Sequence, residues 1–450
     1  MERERRRARR TRFALAMLLA AGTAHANGRP PLTDGVHFRP GDSHSLYVST
    51  TFGLLISHDD GCTFNWICET NIGYGGPFDP KYAIATDGTI FATTFNGLRI
   101  SRDGGCSFVT ATAQLPANDP NRIDFWIDAL DIGPTGEVWV GTAESARAND
   151  VFVSTDNGVT FSSRGMLSPT VWWKSVKVAP SNAQRVYITG YQVAGALPDG
   201  GQMQPTAHLF RSDDDGAHWL ESPLAGVQYG SMPTLLAVAV DPKQPNIVYV
   251  RSIQANPPMG DRLYRSTDGG MTLTEVLATT DAIRDVVVLD ATQVLVATQT
   301  GGSFRSTDGG VSFSAMGAQP QLACLGQRDD GALFGCGANW DPDFKAVARS
   351  ADGGASWQKV WRFVELAGPM QCPAGTPEYD MCDQAQWANL RAQFGATGPS
   401  CGIAPDPPAD AAAPPVASKK SGCCDASDGA PTMVVLTLVL ALLLTRRRAA

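Results

Sequence analysis

The sequence is short of histidine, with six among 450 residues, and of charge, with Asp, Glu, Lys and Arg together at 18%. It has no His-Glu-x-x-His pattern and no P-loop, so neither zincin chemistry nor a phosphate cradle is written into it. No apolar run reaches the roughly 20 residues of a membrane-spanning helix, which excludes a polytopic membrane protein. Clustered basic residues are missing from the middle of the chain. Residues 27–422 carry a formal charge of −14 within a total of −8, which excludes a nucleic-acid footprint. What the chain has instead is turn-forming residues, 46 Gly and 30 Pro, on a 43% hydrophobic background. That composition suits a loop-rich all-β protein.

The two ends read as addresses. Residues 1–26 form a secretory signal peptide, with a basic start (Arg3 to Arg12), the apolar core Phe13 to Ala21, and the small-x-small site Ala24-His25-Ala26. The other end has a Pro/Ala-rich linker over residues 402–421. Residues 422–450 then hold Gly422-Cys423-Cys424, the apolar run Met433 to Leu444 and Arg446-Arg447-Arg448. Twelve helical residues reach about 18 Å, short of a ~30 Å hydrocarbon core. This tail resembles the C-terminal sorting signal of myxobacterial surface proteins. The resemblance implies cleavage near the cysteine pair and attachment to the outer envelope membrane, with Cys423 or Cys424 as the modified residue. A plain tail anchor is the alternative.

Between the ends one pattern recurs seven times: Ser-x-Asp-x-Gly-x-(Thr/Ser)-(aromatic). Its aspartates are Asp59, Asp103, Asp156, Asp214, Asp268, Asp308 and Asp352, and its serines are 44, 53, 58, 54, 40 and 44 residues apart. His218 replaces the Thr in the fourth copy and Leu273 the aromatic in the fifth. A short β-rich run ends at each serine, with further strands upstream, such as Leu46-Tyr47-Val48 and Val138-Trp139-Val140. Four short strands per 40–58 residues is the period of a propeller blade. The repeats resemble Asp-boxes (BNR repeats), found in sialidases, xyloglucanases, sortilin-type receptors and photosystem II assembly factors. The resemblance implies an all-β, seven-bladed β-propeller over residues 27–366, with the seven aspartates in structural turns. A Cys-containing extension over residues 367–401 follows, and Trp387 to Phe394 reads as a short helix.

Ten cysteines in an exported chain suggest disulfides. Cys324 and Cys336 flank the turn Arg328 to Gly331 on strands that should pair. Cys372 is expected to bond Cys382, while Cys62, Cys68, Cys106 and Cys401 are left unassigned. No His lies beside these cysteines to make a zinc site, and no metal or cofactor is expected.

In a four-stranded antiparallel blade the turns alternate between the two faces. The repeated turns share one face. Loops between strands two and three, and those joining blades, share the other. The second set carries Tyr74, Phe78, Asp79, Asp124, Phe125, Trp126, Trp172, Trp173, Tyr229, Trp340, Asp341 and Asp343. Aromatics interspersed with carboxylates suit stacking on sugars or anchoring a protein. A sialidase resemblance would call for an Arg-Ile-Pro signature, and Phe38-Arg39-Pro40 lacks the Ile. A xyloglucanase would call for two propellers and a facing carboxylate pair. Gly-x-Ser-x-Gly occurs once, at Gly398 to Gly402, without the strand-turn-helix setting it needs. The expectation is therefore a monomeric, surface-anchored propeller that binds an extracellular protein or glycan without catalytic residues. An Asp-box glycoside hydrolase is the alternative.

Overall fold

A computed structural model describes residues 30–400 apart from 77, 117, 166, 197–201, 255–259, 299–301 and 318–319. The expected signal peptide, linker and sorting segment lie outside the described residues, as do Cys401, Cys423 and Cys424. Seven antiparallel four-stranded blades form a β-propeller. Blade 1 comprises Thr33–His37, Leu46–Thr50, Gly53–Ser57 and Asn65–Ile67. Blades 2 to 7 begin at Tyr82, Ile127, Trp172, Leu235, Ile283 and Cys324. In every blade the third strand ends on the serine of the repeated turn.

Each second strand is clamped on both faces by neighbouring blades. Leu46–Thr50, Ile90–Thr94, Val138–Thr142 and Val294–Thr298 are buried at every residue, so they read as continuous rather than alternating apolar runs. The core is correspondingly divided into seven clusters, each filled from two adjacent blades.

The repeated turn is a hydrogen-bonded knot. Its Ser hydroxyl donates to the Asp carboxylate at 2.7 to 2.9 Å. The same hydroxyl accepts the Gly amide at 2.7 to 3.0 Å. The carboxylate accepts the amide four residues further on at 2.8 to 3.0 Å. These bonds favour the ionised form. The His218 side chain and amide pull Asp214 to about 2, and the Thr272 amide leads in doing the same for Asp268. Asp308 and Asp352 lie lower still, held first by the Ser312 and Ser356 hydroxyls.

The turn glycine does a second job. Its φ is positive in all seven copies, and in five of them a Cβ there would lie less than 3.0 Å from the preceding blade, with tight contacts of 3.0 and 3.2 Å at Gly354 and Gly270. The clash would come 2.1 Å from Ile67 Cδ1 at Gly105, 2.6 Å from Phe91 Cε1 at Gly158 and 2.1 Å from Tyr249 Oη at Gly310. At Gly61 of blade 1 the preceding blade is blade 7, through Val360 Cγ1 at 2.4 Å. Arginines brace the same joints. Arg211 Nη1 donates to Asp268 O at 3.0 Å, and Arg305 donates to Gly353 O.

All four strands of blade 1 are consecutive, so no strand is exchanged to close the ring. Side chains close it. Asp60 accepts Arg328 at 2.7 Å and Arg349 at 3.0 Å, and Thr33 Oγ1 donates to Ala346 O at 2.8 Å. The extension then straps the joint. Gly368–Pro369 adds a parallel fifth strand beside Asn65–Ile67, and the helix Trp387–Phe394 buries Phe394 against Phe52 and Phe363.

Cys324 and Cys336 are bonded across a paired strand register. The expected Cys372–Cys382 bond is replaced by Cys106–Cys372 and Cys68–Cys382. The reason lies in the turn. The residue after its glycine points outward, as the exposed Val159 and Val311 do, and in blade 2 that residue is Cys106. Its equivalent in blade 1, Cys62, is also disulfide-bonded. Long-range partners were thus in place for a strap that local sequence distance would have closed on itself.

Gly310→Ala, with φ 78° and the Tyr249 clash, should destabilise the protein by about 1–3 kcal/mol in urea melts. Gly317→Ala, whose Cβ meets nothing within 4 Å, should be close to neutral. The pH dependence should have two limbs. Unfolded aspartate titrates near ~3.9, above the folded Asp214 and Asp268, so the stability these turns add is complete above about pH 5 and is lost as pH falls through ~4 towards 2. Glu378 works the other way. Burial raises it to about 8, so its contribution is complete below ~4 and fades as pH climbs to ~8. Urea midpoints against pH should show both limbs, and Glu378→Gln should flatten only the second.

Candidate functional site

Loops opposite the repeated turns bring five rings into one row across blades 2, 3 and 4. Phe78, in the loop between blades 1 and 2, lies 4.5 Å from Phe95. Phe95 lies 4.8 Å from Trp126, Trp126 5.4 Å from Trp172, and Trp172 5.8 Å from Tyr191. The rings meet edge-on or tilted, as aromatic quadrupoles prefer. Phe95 is 47% exposed, Phe78, Trp126 and Trp172 are half-buried, and Tyr191 is buried.

Local sequence explains the placement. Phe95 sits in the tight turn between Ile90–Thr94 and Gly97–Ser101, which leaves its side chain no core to enter. Trp172 and Trp173 are neighbours on one strand, so they face opposite ways. A bulge at Lys174 follows them. The bulge lets Lys174 reach two partners, the Trp126 ring at 5.8 Å and the Asp128 carboxylate. Asp128 also pairs with Lys81 at 3.2 Å, and Lys81 donates to the Lys174 carbonyl at 2.6 Å. Burial pulls Lys81 below the usual lysine range, with Asp128 working against it. This knot lies on the inner strands beneath the aromatic row.

Of the twelve positions read from the sequence, Phe78, Trp126 and Trp172 join the row. Trp173 is fully buried in the core between blades 3 and 4, where no ligand reaches it. Tyr74 packs in the joint of blades 1 and 2 and donates to Thr50 O at 3.4 Å, with burial raising its pKa. Phe125 lies under the Arg147 guanidinium at 5.1 Å. Asp124 is paired with Arg122 at 2.6 Å, and Asp79 is half-buried in the loop that carries Phe78. Tyr229 lies outside the row, in a shallow cleft with Thr206 and Met271. Trp340 packs on Phe363 beside the strap, and Asp341 precedes a cis proline. Asp343 is buried and pins its loop by accepting the Gln321 and Ala338 amides at 3.0 and 3.2 Å. Phe95 and Tyr191 were not foreseen. An aromatic in a two-residue hairpin turn is the signal that would have found the first. The second sits at the end of an unusually long strand, Asn182–Gln192.

Three carboxylates on the strands of blades 3, 5 and 6 are engaged in pairing. Asp131 takes the Val178 amide at 2.9 Å and Lys177 at 3.4 Å. Asp261 takes Arg251 at 2.5 Å and the Ile283 amide at 2.8 Å. Asp285 takes the Leu325 amide at 2.9 Å, and burial raises it above the usual range. Each of the three ties one blade to the next. Elsewhere, Cys68, Glu378 and Cys382 come within 4.8 Å of one another, but the two sulfurs are bonded together.

No family model matches the chain. Among curated proteins, a xyloglucanase of Hypocrea jecorina (strain QM6a) is 28% identical over 253 residues, covering 46% of this chain and 29% of that protein. The chain therefore spans less than a third of that relative's length. Among solved structures, the GH74 xyloglucanase from Xanthomonas campestris matches with 16% identity and a TM-score of 0.45, over 76% of this chain and 61% of that one. Ycf48 from Cyanidioschyzon merolae matches with 13% identity and a TM-score of 0.44, over 68% and 93%.

The neighbouring tryptophans should separate in their effects. Trp173→Ala should cost about 3–5 kcal/mol in urea unfolding, as for a large side chain removed from a core. Trp172→Ala should cost about 1 kcal/mol or less.

Proposed function

We propose that the chain is an exported, surface-anchored propeller that binds a glycan without transforming it. The row Phe78, Phe95, Trp126, Trp172 and Tyr191 carries this reading. Rings in succession along a surface offer repeated apolar patches to the C–H faces of successive sugars. The charges beneath are paired, with Asp128 between Lys81 and Lys174. The bound surface is therefore one of stacking and hydrogen bonds rather than net charge. The disulfides agree with an oxidising, extracytoplasmic setting. The basic n-region and the cysteine-arginine tail support export and anchoring in the outer envelope.

The xyloglucanase among the relatives favours a second reading, hydrolysis of an extracellular polysaccharide. Hydrolysis needs two carboxyls free to act as acid and as base or nucleophile. The pairing of Asp128, Asp131 and Asp261 with cations and amides favours binding over cleavage.

Affinity electrophoresis in gels containing soluble polysaccharides tests the first reading. At least one polysaccharide should retard the protein. Trp126→Ala and Trp172→Ala should each weaken retention roughly two- to tenfold, the value of one aromatic contact at ~0.5–1.5 kcal/mol. Undiminished retention in the double variant would refute the aromatic row as the site. Release of reducing ends from the retarding polymer would refute a purely binding role.

A further inference from the structure

A second site lies on the opposite face, between blades 5 and 6. The joints around the ring supply the comparison. Arg211, Arg305 and Arg349 stand one residue before the turn serine in blades 4, 6 and 7, and each crosses to the turn of the following blade. Arg265 holds this position in blade 5. Among the described residues it makes no such crossing. The Gly309 carbonyl of the next turn accepts the Tyr249 hydroxyl instead, at 3.0 Å. A second filler is also missing. In the joint of blades 4 and 5, Arg185 enters the gap and donates to Asn246 Oδ1 at 2.6 Å and Pro245 O at 3.2 Å. Its counterpart at the start of the second strand of blade 5 is Ile247, which cannot fill that role.

The result is a cleft of about 490 Å³ where the neighbouring joint is filled, within the ~300–1,000 Å³ range of small-molecule sites. Arg265, Lys243 and Asn246 present donors to it, and Asp241, Asp290 and Asp308 present acceptors. The carboxylates are fixed by their own turns. Asp241 takes the Lys243 and Gln244 amides at 2.8 and 2.9 Å, and Asp290 those of Thr292 and Gln293 at 2.7 and 2.8 Å. Asp308 takes Ser312 at 3.0 Å.

The balance of charge selects the ligand. An anion would meet three carboxylates, and a cation would meet Arg265 and Lys243. A hydroxyl both donates and accepts, so a ligand rich in hydroxyls satisfies both sets without introducing charge. We propose that this cleft binds an uncharged sugar of one or two rings. The site is independent of the aromatic row.

Saturation-transfer NMR on the full chain tests this with glucose, galactose, mannose, xylose and cellobiose, and with glucuronate and glucosamine as charged counterparts. At least one neutral sugar should give a signal, and the charged pair should give weaker ones. Arg265→Gln should weaken binding by about tenfold, the effect of losing one charged hydrogen-bond donor. It should lower the melting temperature less than the loss of a direct brace does, because Arg265 reaches the next turn only through the Tyr249 hydroxyl. Arg211→Gln, which removes such a brace, should lower it. Lys243→Gln, on an exposed turn, gives a second weakened variant, and Trp126→Ala should keep the signal. The proposal is overturned if no neutral sugar binds, if glucuronate or glucosamine binds as well, or if Arg265→Gln and Lys243→Gln both bind as the parent does.

Discussion

Everything in this ring depends on how closely one blade can approach the next. The limiting contact is the turn glycine, whose missing side chain lets each turn lie on the core of the preceding blade. Positive φ alone would admit an asparagine at some of these positions, and in five of the seven joints the close approach is what removes that latitude. The serine-aspartate knot keeps the turn in the one shape that presents the glycine correctly. The same contact is made between blades 7 and 1, so closure is the seventh use of an ordinary joint rather than a special device. The ion pairs of Asp60 and the strap reinforce it.

That constraint divides the molecule into a conserved-geometry face and a free one. Turns that must seat against a neighbour cannot vary much in length. Loops on the opposite face are not held to that one contact, and they carry the aromatic row. The bulge at Lys174 links the two regimes. It belongs to an inner strand, yet it places a cation against Trp126 and knots that cation to Asp128. The departures from regularity are informative in the same way. Blade 5 lacks an arginine where blade 4 has Arg185, and a cleft opens there.

The architecture was legible because the seven turns share a spacing and a chemistry that single out the blade. The strand positions followed, since each third strand ends on a serine. The site was legible only in part. Phe78, Trp126 and Trp172 could be placed on the proposed face because they stand in loops that alternate with the repeated turns. Trp173 was taken with its neighbour because a sequence gives adjacency and not direction, and the strand pleat turns it into the core. Tyr74 and Asp343 looked like ligand groups and proved to be packing and loop-pinning groups, a distinction that rests on burial. The disulfides show the same limit. Cys324–Cys336 follows from strand pairing across a short turn, whereas Cys106 and Cys68 meet partners brought near only by the closed ring.

The strap disulfides join residues 266 and 314 positions apart in the chain. Their partners on blades 1 and 2 are made early, and those on the extension come last. As the polypeptide emerges from its N-terminus, each new blade can dock on the one before it, but Cys68 and Cys106 must wait for the end of the chain. The bonds therefore act as a signature of completion. A molecule truncated before Cys372 leaves both sulfurs unmatched and open to any oxidant or thiol-handling enzyme, which distinguishes an unfinished ring from a finished one by chemistry alone.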